Sequence, residues 1–239
     1  MLRRASSHVR PPAPARGHTH DRYARTAAAR QATYADLEAL PERYLGQIID
    51  GTLYAQAQPA YPHQRAATRL SVLLGQTFDR ASGGPGGPGG WWFLHAPELH
   101  FGADVLVPDI AGWRRERMPQ VPDVPWTDLA PDWLCEVTSP STEHLDRGPK
   151  LEIYHRAGVR HVWLVEPVGR QIEVLQRDEE GWRVVAAASG DGAARLEPFA
   201  ALPLLLGELW LGPQSLSGNR RERPESKAAF ASHRDISHR

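Results

Sequence analysis

Asp109, Glu136 and Lys150 are the residues of this 239-residue chain whose types and spacing suit chemistry. Each acid lies in a strand-like apolar run, VLVPDIAGW for Asp109 and DWLCEVTS for Glu136, and Lys150 opens the helical stretch that follows. Acids inside near-continuous apolar runs are uncommon unless something partners them. Two carboxylates and one ammonium on core elements are the minimum equipment for metal-assisted hydrolysis of a phosphodiester. The carboxylates can hold Mg²⁺ (or Mn²⁺) with positions left for water and phosphate, and the lysine can orient water or offset charge developing at phosphorus. The backbone carbonyl of Val137 offers a third hard oxygen. In the competing interpretation the acids only terminate strands and the lysine is solvated. Residue chemistry alone leaves the two evenly matched.

Composition narrows the field. Basic and acidic residues balance at 28 each, which argues against holding nucleic acid by bulk charge, so any phosphate contact must come from local patches. Lysine occurs only at positions 150 and 227, and all other basic residues are arginine. A lysine beside Glu136 therefore suggests a need for its compact, titratable charge. The single cysteine, Cys135, excludes an intramolecular disulfide and a multi-cysteine zinc site, and its apolar strand suits a buried, inert thiol. No apolar run approaches the length of a membrane span, and the arginine-rich start lacks the apolar segment of a secretory signal. A cytoplasmic protein is expected.

Three elements must carry the reactive groups. Residues 1–30 read as a disordered basic arm and 212–239 as a disordered polar tail, which leaves one domain over 31–211. Within it, TYADLEAL reads as a short helix with Thr33 as cap and Asp36 three residues on, and LGQIIDGTLYAQA as a hairpin turning at Asp50-Gly51. Ala66, Leu70, Leu73, Leu74 and Phe78 fall on one face of a helix of about five turns. SGGPGGPGG reads as a flexible connector. WWFLHAPELHF and ADVLVPDIAGW are expected as two antiparallel strands turning near Gly102, followed by a proline-studded surface excursion.

DWLCEVTS is apolar enough to be a central strand. Proline is tolerated only in the first turn of a helix, so Pro149 sets the next start near Arg147 or Gly148, with Asp146 near its cap and Gly158 as its stop. HVWLVEP then returns parallel to DWLCEVTS through that helix, and QIEVLQR with GWRVVAAA form a peripheral hairpin. On this reading Asp109 and Glu136 each end a core strand. If the strands are neighbours, both acids project at one edge.

Other candidates carry alternatives. His63 at the start of the long helix either contacts phosphate or serves as a cap or packing residue. Arg114, Arg115 and Arg117, just past Asp109, either grip a nucleic-acid backbone or are solvated loop charge. Trp91 and Trp92 either stack bases or belong to the core.

The sequence PD, then EVTSPST, then D…K…Y…GV, then VWLVEP, with the IIDG turn and the proline-then-His63 helix start, resembles the Uma2 family of restriction endonucleases. That family belongs to the PD-(D/E)XK nuclease superfamily, and the resemblance spans roughly residues 33–211. It implies an α/β restriction-endonuclease-like core, a mixed sheet flanked by helices, and a metal-dependent endonuclease acting on DNA. It implies Asp109 as the first acid and Glu136 as the second. Thr138 stands where the superfamily signature has its lysine, and Lys150 matches a lysine moved to the following helix. Asp146 and Tyr154 match further family positions, with a helix cap and sheet packing as their expected roles. Gln47 is a departure, since the family often has glutamate there, and metal would be held less tightly if that glutamate is a ligand.

Two rivals remain at this point. One is a decayed nuclease acting as a nucleic-acid-binding or interaction module, and the other is a structural or regulatory protein on the same fold. A homodimer that cuts both strands is compatible with the sequence.

Overall fold

A forked hairpin joins two six-stranded sheets, and the fork carries Asp109. The computed structural model describes residues 23–25, 31–81 and 88–212. The connector over 82–87, the tail beyond 212 and most of the expected basic arm lie outside the described residues. One piece of that arm is a strand rather than disordered chain: β1 (Tyr23–Arg25) pairs antiparallel with β3 (Thr52–Gln56).

The first sheet is built on the predicted hairpin. A short helix, α1 (Tyr34–Glu38), is capped as expected, with the Thr33 backbone N–H donating to the Asp36 carboxylate at 2.7 Å. Next, β2 (Leu45–Ile49) turns into β3 through Asp50 and Gly51, both at positive φ (48° and 71°), the backbone that a two-residue turn between twisted strands requires. After β3, α2 (Tyr61–Phe78) buries His63, Ala66, Ala67, Leu70, Leu74 and Phe78 on one face.

The two strands expected on either side of Gly102 are each broken in the middle. WWFLHAPELHF divides into β4 (Trp91–His95) and β5 (Glu98–Phe101), and its partner divides into β6 (Asp104–Leu106) and β7 (Ile110–Arg114). The inner halves, β5 and β6, pair in the first sheet, and the outer halves, β4 and β7, pair in the second. Proline supplies the reason. Pro97 and Pro108 cannot donate to a ladder, and Ala96 before Pro97 takes a left-handed φ of 48°. Its N–H still reaches the carbonyl of Asp109 at 3.0 Å, which holds the fork together. Asp109 thus precedes a core strand instead of ending one.

The surface excursion contributes β8 (Trp126–Thr127), which pairs parallel with β5. Then β9 (Trp133–Val137), two helical pieces, α3 (Glu143–Asp146) and α4 (Pro149–Ala157), and β10 (His161–Glu166) form the expected parallel crossover. The predicted hairpin of β11 (Gln171–Arg177) and β12 (Trp182–Ser189) closes the edge, giving the order β12-β11-β10-β9-β7-β4. A two-stranded ladder, β13 (Ala193–Ala194) with β14 (Leu204–Leu205), follows. The result is the expected α/β architecture with mixed sheets.

β9 is buried at every residue, and its period-two alternation sorts its side chains between two cores. Trp133, Cys135 and Val137 pack with α2, while Leu134 packs with Ile153 and Tyr154 of α4. Glu136 has the parity of Leu134, so it faces α4. That is the face from which a lysine can reach it.

Candidate active site

The antiparallel register of β7 and β9 pairs Ile110 with Cys135. One step further along each strand, Asp109 comes level with Glu136. The strands are neighbours, and a Val137 N–H donating to Asp109 Oδ2 at 2.7 Å locks the two acidic positions together. Asp109 Oδ1 lies 3.2 Å from Nε2 of His63, which arrives on the first turn of α2.

Glu136 is held from the other side. Asp146, Lys150 and Tyr154 are spaced by four across the junction of α3 and α4, so they line one helical face. Lys150 Nζ is 2.6 Å from Glu136 Oε1 and 3.1 Å from Asp146 Oδ1. The Tyr154 hydroxyl donates to the same Glu136 oxygen at 2.6 Å. Gly148 makes the junction compact, since a Cβ there would stand 2.7 Å from the His144 carbonyl oxygen. Glu136, Asp146, Lys150 and Tyr154 are each at most 3% exposed. Asp146 is therefore a buried partner of the lysine rather than a helix cap, since Gly148 occupies the cap of α4. Tyr154 does pack into the core, as expected, and it also supports the second acid.

Electrostatics follow from that burial. Desolvation pushes the Glu136 carboxyl up to about 8; Lys150 pulls it back, and the Asp146 and Asp109 carboxylates add to the rise. The same burial, with Glu136 beside it, holds the Tyr154 phenol well above its ordinary value. Cys135 is raised by burial first and then by Asp109, which suits the inert thiol expected of it.

The remaining expected contributors are placed as follows. Thr138, at the signature lysine position, turns its hydroxyl to the Val165 carbonyl at 3.4 Å. Gln47, 1% exposed, accepts the Val107 N–H on Oε1 at 2.9 Å, so it helps fix the chain leading into Asp109. Arg114 is the last residue of β7, about 17 Å along the strand from Asp109, and Arg115 and Arg117 follow it. Arg114 lies over the Trp91 ring and Arg115 over the Trp92 ring. Arg115 also pairs with Asp79 at 2.7 Å, and Arg117 with buried Asp132 at 3.0 Å. They brace the strand end instead of facing the acids. Trp91 is core, 2% exposed.

Asp109 and His63 form a shared wall between two spaces. Inward is a cavity of about 20 Å³ that touches Glu136, Val137, Asp146 and Lys150, room for about one water-sized species. Outward is an open cleft of about 440 Å³ between the β2–β3 hairpin and the start of α2. Of its lining, Asp109 and His63 were legible in the sequence, whereas Tyr44 and Gln56 were not. They come from separate elements with no local signature. The Asp146–Lys150–Tyr154 line did leave a signal, a spacing of four that runs through a glycine-proline break.

A family model described as "Putative restriction endonuclease", Uma2, matches residues 32–207. Among solved structures, the chain is similar to a protein from Anabaena variabilis described as a putative nuclease belonging to DUF820. The similarity covers 74% of this chain and 97% of that one, at 19% identity and a TM-score of 0.60, a likeness of fold. A search of the curated proteins found no match.

Proposed function

The chain belongs to the Uma2 family, which supports a nuclease, and we propose that it is a metal-dependent endonuclease that hydrolyses phosphodiester bonds in DNA. The observation that carries this reading is the pairing of Asp109 and Glu136 on neighbouring strands, with Lys150 2.6 Å from Glu136. Asp109, Glu136 and the Val137 carbonyl would hold Mg²⁺ or Mn²⁺. Among the described residues no group of three or more His, Cys, Asp or Glu side chains could hold a metal ion. The donor set still fits Mg²⁺, which commonly uses one or two carboxylates and keeps water and substrate phosphate as its other ligands. When bound, the ion supplies a Lewis acid at the phosphoryl oxygen and lowers the pKa of a coordinated water.

The chain's own residues do the positioning. The Val137 amide and His63 fix both oxygens of Asp109, so its carboxylate does not have to be ordered when substrate arrives. Tyr154 and Lys150 converge on Oε1 of Glu136, and Asp146 keeps the ammonium in place. Lys150, 1% exposed, sets a positive charge beside the reacting phosphate, in a buried site where it acts more strongly than it would in bulk water. The substrate enters from the open cleft, and its phosphate meets Asp109 first.

Gln47 favours one other reading, a decayed nuclease that binds nucleic acid without cutting it. One experiment separates the two. Supercoiled plasmid is incubated with Mg²⁺ or Mn²⁺ and wild type, Asp109→Ala, Glu136→Ala or Lys150→Ala, each checked for folding. Nicking by wild type that is lost in all three variants and in chelator supports the nuclease. Equal nicking in all four exposes a contaminant, and none in folded wild type leaves the decayed site.

A further inference from the structure

We propose that the open cleft beside Asp109 is a pocket for a single unpaired nucleobase, so the chain cuts a strand where at least one nucleotide is out of the duplex. This rests on the nuclease reading and adds the substrate's form. Three observations carry it. At about 440 Å³ the cleft is of small-molecule size, which fits one nucleoside and excludes a base-paired helix. The second acid and the lysine, at 3% and 1% exposure, line the small cavity that shares Leu45, Gln56, His63, Ala96 and Asp109 with this cleft, so a nucleotide seated in the cleft lies next to them.

The lining also suits a base better than a phosphate track. Tyr44, Leu45, Pro59 and Ala67 give it apolar walls, and Gln56 and His95 add polar groups at its margin. The Glu42 carboxylate flanks the same space, which would repel a run of phosphates. Arg43 and Tyr44 also line it, with the Arg43 guanidinium over the Tyr44 ring at 4.9 Å from its centroid. Arginine and aromatic faces are the surfaces on which extruded and single-stranded bases stack.

The test uses the full chain and one end-labelled DNA strand presented in three forms: fully paired, paired with a single-nucleotide bulge, and unpaired. With Mn²⁺, wild type should cut the bulged and unpaired forms at least tenfold faster than the paired one. Thr68→Trp and Ala57→Trp fill the cleft from exposed backbone positions, and each should reduce cutting of the unpaired forms about tenfold. Fluorescence anisotropy of the same oligonucleotides in EDTA should show the same preference and the same loss. Cleavage with no preference among the three forms, or no effect of either tryptophan in a folded protein, overturns the pocket and leaves the nuclease standing. A binding preference without any cleavage keeps the pocket and overturns the nuclease.

Discussion

The two halves of the acidic site differ in what surrounds them. Glu136 lies in a closed network in which Lys150, Asp146 and Tyr154 are all buried, and its carboxyl is pushed up to about 8. Asp109 is 22% exposed, held at one oxygen by an amide and at the other by His63, and faces open space. The inner half resembles a preassembled charge cluster. The outer half resembles a docking face. A buried ion pair is weak evidence of stability but is costly to break, so the two halves should fail in different ways when cut.

The largest effect should be on the inner half. Lys150→Met leaves Glu136 and Asp146 buried without their ammonium and should cost about 3–5 kcal/mol in urea denaturation at pH 8. A loss under 1 kcal/mol would show that the cluster is open to water. Asp109→Ala strands the Val137 amide and should cost less, about 1–3 kcal/mol, while nicking falls about a hundredfold or more. If Asp109→Ala unfolds the protein, the division between the halves is wrong.

Tyr154→Phe is a finer probe. Above about pH 8, where Glu136 is ionised, removing one donor to it should cost about 1.5–3 kcal/mol, as for a hydrogen bond to a charged group. An unchanged urea midpoint would mean that the hydroxyl contributes nothing to holding the acid.

The smallest effect is one of pH. Because the folded-state Glu136 value lies above its ordinary 4.5, the folded protein binds more protons than the unfolded chain between the two. Its contribution is fully present below about 4.5 and is lost as pH rises through about 8. In chelator, Glu136→Gln should therefore flatten the fall in melting temperature between pH 5 and pH 8. An identical fall in both proteins would place the titration elsewhere.

The sequence made the inner half more legible than the outer. Acids set in apolar strands, a rare lysine and a proline-fixed helix start were local signals, and each pointed to a residue now found in contact with another. The Asp50-Gly51 turn, the α2 stripe and the parallel crossover were legible for the same reason. The fork was not, because Pro97 and Pro108 act together: each reads alone as a flaw in one strand, and only their pairing splits the hairpin between two sheets. The His63–Asp109 contact was equally hidden, since it joins α2 to the fork across a long span of chain. The placement of the arginines was hidden for a related reason. Nearness to Asp109 in sequence became distance once β7 extended between them.

Whether the two halves share one ion is tested by a calorimetric titration of Mn²⁺ into wild type, Asp109→Asn and Glu136→Gln, each confirmed to be folded. Wild type should show one site that is lost or weakened at least tenfold in both variants, because an ion shared between the halves needs both carboxylates. Undiminished binding in either variant, or no binding to wild type, would contradict a shared ion.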